Sequence, residues 1–204
     1  MNDKGKFSIN EIMLIFQKLS EKFPVKENLC QAETERIKKF FNERNHVECV
    51  KIIRKQFGLG VRINIRRIDD NFQDSHIHFS TKGFLKYRYD SRSVAAVILP
   101  SRTPIYGSHE FKAMTIPMII KESLFRRGCE AFMCGVGHEM SHIILYSLYN
   151  EYRESEVATD ILAMMMGFSE IGKSGSGEVG YLKREEFNAV YKAIQSKQHF
   201  QSYP

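Results

Sequence analysis

His138 and His142 stand four residues apart inside a helical and mostly apolar stretch, Arg127 to about Tyr149. A helix turns once in about 3.6 residues, so positions i and i+4 share a face and their two rings reach toward one point. The flanking Val136, Ile143, Ile144 and Leu145 are apolar on more than one side. Such a helix has to be enclosed by other elements. The chain must therefore fold around a buried helix that carries paired imidazoles, with polar groups brought up from elsewhere to satisfy them.

The five residues His138-Glu139-Met140-Ser141-His142 read H-E-x-x-H. Neutral imidazole nitrogen is a good donor to zinc, and two of them on one helical face can hold one ion. Glu139 lies beside the pair, where a carboxylate can take a proton from a water at the metal. Catalytic zinc usually takes three protein ligands and keeps one position open. A third histidine further along the same helix is ruled out, because Leu145 and Leu148 occupy the places where a metzincin carries glycine and histidine. Distant histidines, His76, His78 or His109, form a second option. The third is a glutamate at the start of the next helix, Glu151, Glu154 or Glu156. Glu156 is preferred, because Asp160 follows one turn later and can accept the second N–H of a ligating histidine. Ala158 and Ala163 are small enough to let two helices close on an ion.

His138-Glu139-x-x-His142 followed by Glu156-x-x-x-Asp160 resembles the gluzincin zinc peptidases. The resemblance is closest to the HtpX-like group, whose second helix carries E-x-x-A-D. Here that stretch is Glu156-Val157-Ala158-Thr159-Asp160, with Thr159 where the pattern has alanine. The resemblance covers about residues 112–170. It implies a zincin-like α+β fold: an active-site helix and a second ligand-bearing helix packed on a small mixed sheet. It also implies an edge strand, Met114–Ile120, that binds an extended peptide by strand addition. The implied activity is that of a metalloprotease, a hydrolase cutting peptide bonds internally. Zn2+ would sit on His138, His142 and Glu156, with Glu139 as general base and Asp160 orienting a histidine. The partner would be a protein or peptide substrate. The chain departs from the group in lacking its membrane spans. Regulatory proteases of the Irr/Imm type share the H-E-x-x-H layout, but no helix-turn-helix is legible. The rival expectation is a binding or regulatory protein with a structural, four-ligand zinc site.

The 204 residues suit one domain 1–204, or a helical N-terminal region 1–60 followed by a metallopeptidase domain 61–204. Net charge is +6, but the basic residues fall in scattered pairs such as Lys38-Lys39 and Arg66-Arg67. That pattern reads as solvated faces, so a nucleic-acid partner is not expected. No apolar run reaches the ~18 residues of a membrane span. The opening MNDKGKFSIN lacks an apolar leader, and no two of Cys30, Cys49, Cys129 and Cys134 form a C-x-x-C pair. The expectation is a cytoplasmic protein with free thiols.

Along the chain, Ser8 to Phe23 reads as an amphipathic helix with a Ser8/Glu11 capping box and an apolar stripe of Ile9, Ile12, Met13, Phe16 and Leu19. Gln31–Asn42 and His46–Phe57 read as further helices, ended by Gly58. Val61–Arg66 alternates with period two and reads as a strand, as do His76–Phe79 and Ser93–Pro100. Pro117 marks Met114–Ile120 as an edge strand. Helices are expected over 153–167 and 184–198, with a flexible loop at Gly172–Gly177. Gly167 to Ser174 matches G-x-x-x-x-G-K-[ST], but a helix precedes it and too little chain follows for a nucleotide-binding sheet. Met164-Met165-Met166 reads as core filling. Tyr146, Tyr149, Arg153, Tyr181 and His109 are unranked candidates for stabilising an oxyanion.

Overall fold

A computed structural model describes residues 7–71, 93–100 and 102–201, apart from the side chains of residues 175–179, 200 and 201. The strand expected at His76–Phe79, with its two histidines, lies outside these residues. The chain is α+β. Helices α1 (Ile9–Lys22), α2 (Gln31–Asn42) and α3 (His46–Phe57) lead into strand β1 (Arg62–Ile68). Then come β2 (Ala95–Val97), α4 (His109–Ala113), β3 (Thr115–Lys121), α5 (Glu122–Arg126) and α6 (Cys129–Ser147). Helices α7 (Glu156–Ala163), α8 (Ser169–Val179) and α9 (Arg184–Gln201) complete the described chain. None of these helices is long and apolar enough to cross a membrane.

The first helix forms as its residues dictate. Ser8 accepts from the Glu11 N–H, while Glu11 accepts from the Ser8 N–H at 2.7 Å. Its buried face is Ile12, Ile15, Phe16 and Leu19, turned to α7 and α9. Ile9, expected on that stripe, is 45% exposed because it precedes the packed turns. Helix α3 stops at Gly58, whose left-handed backbone (φ 70°) glycine adopts without steric cost.

The three strands lie in the order β1-β3-β2, with β1 parallel and β2 antiparallel to β3. This corrects the expectation that Met114–Ile120 is an edge. The strand is central, paired on both sides. Pro117 is tolerated there because of where its missing N–H falls. It stands just past the three paired residues of β2, and its carbonyl still accepts from the Ile98 N–H at 3.0 Å. The ladder thus ends at the proline and is not interrupted by it.

Helix α6 is the axis of the molecule. His138, Glu139, His142 and nearly all their helical neighbours are buried, with α7 and α8 on one flank and α3 on another. It ends in a Schellman-type turn: Asn150 N–H donates to the Leu145 carbonyl at 2.9 Å, around Tyr149 at φ 50°. The turn returns the chain so that α7 packs back along α6. Helix α7 then widens over Met164–Phe168 and kinks at Gly167. Met164, Met165 and Met166 are buried there as core.

The second correction concerns the glycine-rich segment, which is helical and forms part of α8. Glycine costs about 1 kcal/mol in a helix interior. Here packing of α8 against α6 offsets that cost. The backbone of the G-x-x-x-x-G-K-S match is therefore spent on helix, and Lys173 binds Tyr191 (2.6 Å) and Glu170 (3.2 Å). Helices α1–α3 share one apolar core with α6–α9.

Candidate metal centre

The two histidines of α6 point at the start of α7. His138 Nε2 lies 2.9 Å from Glu156 Oε2, His142 Nε2 lies 3.3 Å from the same oxygen, and the two Nε2 atoms are 3.2 Å apart. Among the described residues these three form the cluster of donors able to hold a metal ion. Glu156 is the first residue of α7, after Ser155, whose hydroxyl caps the Ala158 N–H at 3.3 Å. A carboxylate is favoured in that first turn by the helix dipole, so local stability and site geometry ask for the same residue.

The other candidates for a third donor lie elsewhere. Glu151 faces Lys18 and Lys22 at the surface, and Glu154 neighbours Arg153 and Tyr146. His109 is exposed in α4. His76 and His78 fall outside the described residues. Cys134, one turn before His138, lines a cavity of about 40 Å³ beside His138 and Asp160, together with Ala163, Leu182 and Phe187.

Asp160 is one turn beyond Glu156 on α7. Its Oδ1 is 2.7 Å from His138 Nδ1. Its Oδ2 accepts from the backbone N–H groups of Tyr181 (2.5 Å) and Leu182 (3.1 Å). The Tyr181 ring stacks on His138 at 5.5 Å between centroids. The carboxylate thus holds the ring and the segment that covers it.

Glu139 projects from α6 toward the sheet. Residues Val94 and Ile98 exchange bonds with β3, so Ala95 and Val97 face the outer edge of β2. From that edge the Val97 N–H donates to Glu139 Oε2 at 2.9 Å. This contact was not legible in the sequence, because a backbone N–H has no residue signature and the strand partner is 42 residues away. Thr159 was noted only as a departure from a pattern. Its Oγ1 lies 3.4 Å from His142 Nδ1, and its i+3 spacing from Glu156 is the signal that places it on the site face.

Burial shapes the protonation of this cluster. Desolvation alone would pull the His138 imidazole down, but its bonds to Asp160 and Glu156 outweigh it and hold its pKa well above the ordinary value. Burial pushes Glu156 up, yet the two imidazoles keep it far below the usual carboxylate range. Glu139 is raised, chiefly by burial, with His142 and His138 pulling the other way. Burial and the nearby Glu156 charge also raise the Tyr181 phenol, which keeps its proton and can donate it in a hydrogen bond. Of the oxyanion candidates, Tyr181 is the one stacked on a site residue, with its hydroxyl hydrogen-bonded to Ser93, and the Tyr149 hydroxyl donates to the Thr103 carbonyl at 2.8 Å.

This geometry can hold an ion on three donors and set a buried carboxylate beside it. No protein-family model, no curated protein and no solved structure matches the chain.

Proposed function

We propose that the protein is a zinc-dependent endopeptidase of gluzincin type. The observation that carries this reading is the convergence of His138, His142 and Glu156 with Glu139 buried alongside. Ligand atoms at about 2.0–2.1 Å from a tetrahedral ion stand about 3.3 Å from one another. The separations of 2.9, 3.2 and 3.3 Å are close to three corners of such a tetrahedron. Two imidazoles and a carboxylate are a donor set that suits zinc. A structural site would need a fourth protein donor, and the cluster among the described residues has three.

Bound there, zinc would acidify a water and polarise the scissile carbonyl. The chain's own residues do the rest. Glu139, raised in pKa by its burial, receives the proton and returns it to the leaving amine. Val97 N–H holds Oε2 of that carboxylate, so Oε1 is the oxygen assigned to take the proton. Asp160 keeps the proton of His138 on Nδ1, so Nε2 presents its lone pair. Tyr181 stacks on the His138 ring and helps to hold it in place. Strand addition at Met114–Ile120 is not part of this reading, because both sides of that strand are already paired.

Glu139→Gln tests the reading. Elemental analysis should find about one zinc per chain in both forms, while hydrolysis of quenched fluorescent peptides by the variant falls about 10²–10⁴-fold. A variant that cleaves like the wild type, or a wild type that takes up no zinc, would overturn it.

A further inference from the structure

We propose that Thr159 is a positioning residue that fixes the ring of His142 for metal binding; this rests on the reading of His138, His142 and Glu156 as metal ligands. For His142 to offer Nε2, its ring proton must sit on Nδ1, and a buried Nδ1–H needs an acceptor. His138 has Asp160 for that purpose. At His142 the group in place is Thr159 Oγ1, 3.4 Å from Nδ1.

The hydroxyl is set up to accept. It donates its own proton to the Ser155 carbonyl at 2.9 Å, one helical turn back. Its lone pairs are then what it presents to the ring. That same bond selects one of the rotamers a threonine can adopt in a helix. Thr159 is 0% and His142 1% exposed, so bulk water cannot take over the role. Glu156, Thr159 and Asp160 fall at i, i+3 and i+4 on α7, one stripe facing α6. One helical face therefore carries a ligand and a support for each of the two histidines.

The test measures zinc affinity, by competition with a chromophoric chelator, for wild type, Thr159→Val and Thr159→Ser. Valine keeps the shape and removes the acceptor, and binding should weaken about 10–100-fold. Serine restores the hydroxyl and should bind within about threefold of wild type. Circular dichroism and melting of the metal-free forms check that the valine variant is folded. A folded valine variant that binds as tightly as wild type would overturn the proposal while leaving the metal reading intact. Zinc binding absent from wild type would overturn both. Long-range ¹H–¹⁵N NMR of zinc-loaded wild type needs no variant: the His142 proton is expected on Nδ1, and a proton on Nε2 would also overturn the proposal.

Discussion

Asp160 shows how much a single residue can carry at this site. One oxygen receives His138 Nδ1–H and the other receives two backbone N–H groups of the segment around Tyr181. A carboxylate has acceptors on both sides, whereas an amide does not. In Asp160→Asn the NH₂ group must face either the ring N–H or the two backbone N–H groups, donor against donor. Zinc affinity is expected to fall about 10–100-fold, as for loss of other groups that orient a ligand. Hydrogen exchange at residues 181 and 182 should also quicken. An Asn variant unchanged in both chelator competition and exchange would show that Asp160 holds neither. The spacing of His138, Glu139, His142, Glu156 and Asp160 was legible because helices repeat regularly, so sequence offsets report which side chains share a face. Val97 was not, since its contribution is an amide that every non-proline residue has.

At the scale of elements, the segment Met164–Phe168 joins the site helices to the N-terminal helices. Lys26 N–H donates to the Met165 carbonyl at 2.8 Å, Leu29 N–H to Gly167 at 2.9 Å, and Gln56 Nε2 to Met166 at 3.0 Å. Gly167 makes this possible twice over. Its backbone is at φ 99°, and a Cβ there would run into the Glu27 carbonyl oxygen and the Gln56 side chain. Gly167→Ala is expected to destabilise the fold by about 2–4 kcal/mol, combining backbone strain with a clash. Urea unfolding would measure it, and a loss below ~0.5 kcal/mol would contradict the account. Of the N-terminal helices, α2 and α3 were legible to the residue and α1 to within one residue at each end, because caps, breakers and 3.6-residue periodicity act within a few positions. The status of Met114–Ile120 was not. A proline is a good edge signal on its own, but whether its missing N–H interrupts a ladder depends on how far the neighbouring strand extends.

At the scale of the whole molecule, one apolar core runs from α1 to α9 through α6, and the thiols report on it. Burial pushes Cys49 up to about 11 and Cys129 and Cys134 up to about 12. At pH 8, three units or more below those values, their reactive thiolate forms are scarce. Cys30 is exposed ahead of α2. A thiol reagent at pH 8 should therefore modify Cys30 promptly, and the other three of the four cysteines only on unfolding. Prompt reaction of all four in the native protein would mean that the core around α6 is open. Local patterning was enough to specify the helices of the first 60 residues, the buried helix with its H-E-x-x-H, and the carboxylates spaced one turn apart on the next helix. Long-range contacts decided the strand order, the helical state of the glycine-rich segment, the meeting of Val97 with Glu139 and that of Thr159 with His142. The division has one physical cause: periodicity and capping are set by neighbours a few residues away, whereas strand pairing and close helix packing depend on surfaces contributed by distant parts of the chain.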